Sequence, residues 1–355
     1  MEEVMVNSFI TDCALARKSR GTLVCRSRSF YIYFLVVSNK CRIFAANCKT
    51  GLMSSSECLS KFSMKKIIPV VLCLLLLAAC GQSYEETKRK ARLSRREAMR
   101  KDSVALKVAV MPTLDCLPLY VAEQYELFDT AMGGVRLKHF SAMMDCDTAL
   151  ERGRVEGAIT DMKRAEAMEK RGLKVKYVAT TNAHWQLITN RNSRIKQLKQ
   201  LDDKMIAMTR NSALDYLTDR VIDSVKLDKD RVFKVQINDV NVRLLMLQNN
   251  EIDALWLTEP QATVARLLKH NVIYDTRKQD IHLGVLAFRD EEMQRKERAR
   301  QLELFVKAYN QACDSINKYG VRHYSSLIAK QCTIKPNMAD SLPNNIKYEH
   351  AREER

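Results

Sequence analysis

The thiol of Cys80 ends the segment with the clearest chemical meaning. Leu77-Ala78-Ala79-Cys80 is a run of small residues closed by a nucleophile. Small side chains fit a signal-peptidase pocket, and the thiol is the group a diacylglyceryl transferase modifies. In front of it stand the positive start Met64-Lys65-Lys66 and an apolar run from Ile67 to Leu77, broken only by Pro69. That run is too short to span a bilayer as a mature helix. Together the three parts predict a lipoprotein export signal at residues 64–80, with acyl chains such as palmitate anchoring the mature chain through Cys80. A second group suited to chemistry is Arg210-Asn211-Ser212. It sets a cation beside the free N–H groups of a predicted helix start, a combination that suits an anion. Enzyme signatures are missing: there is no Gly-rich phosphate loop, no His-Glu-x-x-His and no Gly-x-Ser-x-Gly elbow. The Cys and His residues after Cys80 lack metal-ligand spacing. No enzyme chemistry, metal or cofactor is expected from these residues.

The net charge of +17 is unevenly placed. Residues 1–63 hold nine Lys/Arg against four Asp/Glu, Lys65 and Lys66 add two positives, and residues 84–101 hold eight Lys/Arg against three Glu, which leaves +5 for residues 102–355. A nucleic-acid binder carries its basic excess on the folded domain, so nucleic acid is excluded as a partner. An export signal works only at an N-terminus, which makes Met64 the expected start and residues 1–63 an extension assigned too far upstream. The alternative is a genuine extension. Its cysteines, Cys13, Cys25, Cys41, Cys48 and Cys58, match no zinc pattern. Beyond the signal, Cys116, Cys146, Cys313 and Cys332 enter an oxidising compartment. They form either the pairs 116–146 and 313–332 or four buried free thiols.

Residues 81–103 form a basic tether, helical or flexible, whose charges would lie against anionic headgroups or in solvent. From Leu106, β-rich runs alternate with amphipathic helices, the pattern of α/β domains with mainly parallel sheets. Strands are predicted at 106–111, 135–140, 157–160, 175–179 and 185–189 in a first block. In a second block they fall at 205–208, 232–237, 252–257 and 272–274, followed by a return strand at 282–288. Helices are predicted over 117–128, from near Asp145, after Asp161, over 195–201, after Asn211 or Ser212, over 239–248, from Glu259-Pro260 with the proline in the first turn, over 290–318 and over 321–330. An irregular tail follows from Lys335. Two lobes facing a cleft are expected: lobe 1 from 104–190 and 279–334, lobe 2 from 191–278. The crossings fall near Thr189–Asn192 and Lys278–His282.

Val110-Met-Pro-Thr-Leu-Asp-Cys-Leu-Pro-Leu-Tyr-Val-Ala-Glu123 followed by Glu126-Leu-Phe128 resembles the opening of the periplasmic binding proteins for sulfonates, nitrate and thiamine-precursor pyrimidines. Ala149-Leu150 with Gly153 and Gly157-Ala-Ile-Thr160, Ser193 to Ser212, and Leu244 to Pro260 resemble later segments of that family. The resemblance spans about 105–290 and implies the two-lobed type II periplasmic binding protein fold. It also implies a solute-binding lipoprotein of an ABC importer: a monomer on the periplasmic face of a bacterial membrane, capturing a small anionic or heteroaromatic molecule by hinge closure and passing it to an inner-membrane permease. Rivals are a same-fold enzyme of pyrimidine or menaquinone-precursor chemistry and a lipid-anchored sensor or assembly protein. Ligands in such sheets sit beyond the carboxyl ends of the strands. Position therefore nominates Thr113, Asp115, Met144, Asp145, Thr160 and Asp161 in lobe 1, with Trp185 of the same lobe as a ring that could stack, and Arg210, Asn211, Ser212, Trp256, Thr258 and Glu259 in lobe 2. His282 reads as structural.

Overall fold

Strand β1 (Leu106–Val110) alternates little because both its faces are covered: four of its five residues are buried, as expected of a central strand in a mainly parallel sheet. In the computed structural model, which describes residues 84–130 and 132–352, β1 pairs in parallel with β2 (Val135–His139) and β3 (Gly157–Asp161). Two further strands, β4 (Val175–Thr180) and β10 (Gly284–Arg289), complete a sheet of order β2-β1-β3-β10-β4, in which β10 runs antiparallel to both neighbours. The second sheet repeats the plan. Its order is β7-β6-β8-β5-β9, from β5 (Gln186–Thr189), β6 (Lys204–Met208), β7 (Val232–Gln236), β8 (Ala254–Leu257) and β9 (Asn271–Asp275). Here β5 is the reversed strand. In each sheet the reversed strand is the first one laid down after the chain crosses over.

The chain divides into two units, Met1–Lys90 and Ala91–Arg355. Of the first, the structure describes only the opening turns of α1 (Tyr84–Val104), a highly polar helix. The expected extension 1–63, the signal 64–80 and Cys80 lie outside the described residues. Among the described residues no helix is long and apolar enough to cross a membrane.

The helices of the second unit are α2 (Leu117–Gln124), α3 (Met143–Glu151), α4 (Met162–Lys170), α5 (Ala213–Ser224), α6 (Val240–Gln248), α7 (Gln261–Leu267), α8 (Asp290–Met293), α9 (Lys296–Tyr319), α10 (Ser325–Cys332) and α11 (Pro336–Ala339). Caps set several starts. The Asp161 side chain accepts from Arg164 N at α4, Ser212 from Leu214 N at α5, and Asp239 from Asn241 N and Val242 N at α6. Helix α2 stops short of the predicted Phe128 because Glu126 turns into the left-handed region at φ 53°. The predicted helix at 195–201 is only a 3-10 turn over Leu198–Leu201. Pro260 is the N-cap of α7 rather than part of its first turn, and the long C-terminal helix breaks between α8 and α9.

Two differences from the sequence reading, and one choice it left open, matter for the site. Strand β5 was expected in the first block but pairs with β8 and β9, so the first crossing lies at 181–185 rather than near Thr189–Asn192. The chain returns through 276–283. These two crossings are laced together: Thr181 N donates to Gly284 O (2.9 Å), Trp185 N to Thr276 Oγ1 (3.0 Å) and Thr276 N to Trp185 O (3.0 Å). Gly284 must be glycine, since a Cβ there would collide with Thr181 Oγ1 and Ala183 Cβ.

Second, the segment after Lys335 does not trail as a tail. Leu342, Ile346, Tyr348 and Ala351 are buried in the lobe 1 core, and Tyr348 Oη donates to Leu114 O (2.7 Å) under the loop after β1. Ile334 packs against the cores of both lobes and Met338 against that of lobe 2.

Third, of the two states the sequence left open for the cysteines, the structure has the free one: Cys116, Cys146, Cys313 and Cys332 are all free and buried. Each of three thiols has a local partner instead. Met111 N donates to Cys116 Sγ (3.4 Å), while Cys146 Sγ donates to Val110 O (3.9 Å) and Cys313 Sγ to Glu349 O (3.6 Å). Burial also pushes every one of them above the ordinary thiol range, which suppresses the reactive thiolate. Under non-reducing conditions these four positions should resist iodoacetamide in the native protein and all react after unfolding, read by peptide-resolved mass spectrometry. A position still blocked in urea would reveal a disulfide.

Candidate functional site

The carboxyl ends of β1, β2 and β3 face those of β6, β7 and β8, and the two lobes touch there. Leu114 N donates to Glu259 O (2.8 Å), Gln261 Nε2 to Pro112 O (2.8 Å), Arg164 Nη1 to Arg210 O (3.3 Å) and Asn238 Nδ2 to Met144 Sδ (3.3 Å). An isolated bridge joins Ala142 to Asp239. These contacts define a seam between the lobes, and the predicted residues distribute around it unevenly.

On the lobe 1 side, Thr113 and Asp115 are buried in the loop after β1. Burial pushes the Asp115 carboxyl up, opposed by hydrogen bonds from Thr113 and from the backbone of Asp115 and Cys116, and Asp115 Oδ1 has no partner. Met144 and Asp145 open α3 and are exposed. Met144 reaches lobe 2 through its sulfur. Thr160 is turned inward, its Oγ1 donating to Asp147 Oδ1 (2.6 Å). Asp161 is 1% exposed. Its Oδ1 accepts from Arg164 N (2.9 Å), whereas its Oδ2 makes no full hydrogen bond, the Ala213 amide lying only near enough to act on the charge. Burial pushes its carboxyl up to about 7, against the pull of the Arg164 amide and of the Ala213 amide of lobe 2.

Across the seam, Arg210 and Asn211 are exposed while Ser212 is buried. The turn is tight: Asn211 sits at φ 54°, its N–H donating to Asp215 Oδ2 (2.9 Å), and Ser212 Oγ donates to Thr209 O (2.6 Å). Thr258 is buried at the start of the turn before α7. Glu259 presents its backbone, not its carboxylate, to lobe 1. The carboxylate is held by Arg266 Nη2 (2.7 Å), Thr263 N (3.0 Å) and Thr263 Oγ1 (2.7 Å). Both tryptophans are core residues. Trp256 is fully buried, with Nε1 donating to Thr218 Oγ1 (2.9 Å), and Trp185 belongs to the same cluster. The structure therefore brings Thr113, Asp115, Asp161, Ser212 and the 258–259 backbone towards the seam and takes Trp185, Trp256, Thr160 and the Glu259 carboxylate out of it.

Three seam residues escaped the sequence reading. Gln261 is fully buried, bonding Pro112 O of lobe 1 and Asn241 Oδ1 of lobe 2 (2.9 Å), and its Oε1 is left without a partner. Arg164 pairs with the fully buried Asp147. Arg243 is buried against the turn after β7, with Nη1 donating to Ile237 O (2.7 Å) and Thr209 Oγ1 (3.3 Å). Burial lowers its guanidinium to about 10 despite Asp239, and its Nε is unpartnered. A signal for both arginines lay in the helical period. Arg164, Ala165 and Met168 share the buried face of α4, and Val240, Arg243, Leu244 and Leu247 that of α6. A cation on an apolar face marks a buried partner or a ligand. At the crossings, His184 and His282 meet edge to face at 5.4 Å, and His282 Nε2 lies 2.9 Å from Asp280 Oδ1. Among the described residues no group of three or more His, Cys, Asp or Glu side chains is placed to hold a metal ion.

Solved structures share this fold at low identity. The alkanesulfonate-binding protein SsuA of Xanthomonas axonopodis pv. citri, bound to MOPS, has a TM-score of 0.60 at 15% identity, over 70% of this chain and 85% of its own. The ligand-binding component of an ABC-type import system from Staphylococcus aureus, with zinc bound, gives 0.59 at 16%, over 69% and 84%. The periplasmic nitrate-binding protein NrtA of Synechocystis PCC 6803 gives 0.59 at 11%, over 71% and 74%. The fold is that of the periplasmic binding proteins. No curated protein sequence matches the chain. Residues 113–321, more than half of the sequence and spanning both sides of the seam, match the family described as NMT1/THI5 like, and the chain belongs to that family.

Proposed function

We propose that this chain is the solute-binding component of an ABC import system, closing two lobes on a small molecule and delivering it to an inner-membrane permease. One observation carries the reading. Polar atoms of Asp115, Asp161, Gln261 and Arg243, drawn from both lobes, are buried without partners around the interlobe seam. Buried polar groups are almost always hydrogen-bonded, so such a cluster calls for an explanation, and a solute bound between the lobes supplies one. Among the described residues the two crossings at 181–185 and 276–283 are the only covalent connections between the sheets, which suits a hinge. The sulfonate- and nitrate-binding neighbours support the same reading. The Cys80 signal supports lipid attachment on the periplasmic face of a bacterial membrane, and the family resemblance supports a monomer.

Native mass spectrometry of gently purified protein, followed by denaturation, tests this directly. A stoichiometric small molecule should leave on unfolding, and adding it back should reduce the radius of gyration in X-ray scattering. Scattering that stays unchanged with a tightly bound solute would rule out hinge closure.

A further inference from the structure

The partnerless atoms differ in kind from one lobe to the other. Lobe 1 offers acceptors, Asp115 Oδ1 in the loop after β1 and Asp161 Oδ2 at the end of β3. Lobe 2 offers a donor, Arg243 Nε, on a guanidinium whose Nη1 is already spent on Ile237 O and Thr209 Oγ1. Between them stands Gln261, spanning Pro112 and Asn241 with Oε1 unused. The other two partnerless atoms, Thr181 Oγ1 and His184 Nδ1, lie at the first crossing and belong to the hinge.

We propose that the solute is a small zwitterion whose N–H-bearing cationic end is held by Asp115 and Asp161 of lobe 1 and whose anionic end is held by Arg243 of lobe 2. This rests on the solute-binding reading above and names the chemical class of the solute. The alternatives leave the ledger open. A simple oxyanion would face two buried carboxylates and leave three acceptors unsatisfied. A simple cation would leave Arg243 Nε alone, a buried and charged donor without an acceptor. Arg164 does not change the balance, because it is engaged by Asp147 and Arg210 O. A molecule charged at both ends also explains why closure would be tied to binding. Each lobe alone satisfies half of it, so the full set of hydrogen bonds forms only when the lobes meet. Burial raises the carboxyls of Asp115 and Asp161, and a cation at that end would restore their charged form.

Titration calorimetry with ω-amino acids from glycine to 6-aminohexanoate, against the n-alkylamines and n-alkanoates of matching length, methanesulfonate and nitrate, tests the class. At least one ω-amino acid should bind tenfold or more tightly than its amine and its acid counterparts. Asp161→Asn should abolish the preference over the alkanoate, and Arg243→Gln the preference over the alkylamine. Circular dichroism checks the fold of each, and Asp161→Asn alone suffices if Arg243→Gln does not fold. An alkylamine, alkanoate, methanesulfonate or nitrate binding more tightly than every ω-amino acid, or no ω-amino acid reaching the tenfold preference, overturns the zwitterion and leaves solute binding standing. If no probe binds, the co-purified molecule decides: a zwitterion upholds the proposal and any other species overturns it. No probe binding and no co-purified molecule together overturn both readings.

Discussion

Replacing Arg164 by alanine should destabilise the folded protein by about 3–5 kcal/mol at pH 8, the usual loss when one partner of a buried ion pair is removed. Asp147 is fully buried on α3, and its two carboxylate oxygens are taken by Arg164 Nε and Thr160 Oγ1. Burial already pushes the Asp147 carboxyl up, with Arg164 and Thr160 pulling it back. Without the guanidinium, Asp147 must either stay charged in an apolar setting or take a proton. The proton is cheap at low pH and expensive at high pH, so the loss should shrink at pH 5. The sign follows from linkage: a carboxyl with a raised folded pKa holds its proton in the folded chain after the unfolded chain has lost it, so stability falls as pH rises. Asp161 adds to the effect, because Arg164 also lowers its carboxyl. Urea denaturation at both pH values reads the difference. A loss below about 1 kcal/mol at pH 8, the value of an exposed pair, would mean that the pair is open to solvent.

Asp161→Asn should act in the opposite direction and stabilise the empty protein. The Asp161 carboxyl is pushed from 3.8 up to about 7. Between those values the folded chain keeps a proton that the unfolded chain releases, so stability is complete below about 4 and is lost as pH climbs to about 7. At about 1.4 kcal/mol per pKa unit, the cost at pH 8 is about 4 kcal/mol, an upper value for a group that can relax or admit water. Asparagine is an equally good N-cap, so it can replace the bond to Arg164 N without carrying charge. The variant should gain about 2–4 kcal/mol at pH 8 and almost nothing at pH 4, seen as a flattened plot of Tm against pH. Binding should weaken in the same variant. Stability gained where function is lost is the signature of a residue kept for a ligand. A variant no more stable at pH 8 than the parent would show that Asp161 is already satisfied in the empty protein.

Much of the architecture was legible in the residues. The β-rich runs at 106–111, 157–160 and 205–208 became β1, β3 and β6 because a covered strand needs apolar residues on both faces. Asp161 and Ser212 cap their helices because each side-chain oxygen satisfies an amide two or three residues on. The family resemblance, carried by residues 110–128 and by later segments, is borne out by the match over 113–321. All of these depend on neighbours within about a dozen residues.

Tertiary structure decided the rest, because it turned on partners far along the chain. Strand β5 reads the same in either sheet, and its pairing with β8 and β9 is fixed by residues 65 to 89 positions away. Trp185 and Trp256 are chemically able to stack on a ligand, and only the packing of lobe 2 makes them core. Glu259 stands at the right strand end, yet the folding of α7 brings Arg266 and Thr263 to its carboxylate. Residues after Lys335 carry apolar side chains without a period, and the groove beneath the β1 loop gives Tyr348 its place. Above all, an unsatisfied atom has no local signature. A sequence shows which groups Asp115, Asp161, Gln261 and Arg243 possess, whereas only the assembled lobes show which of those groups remain without a partner.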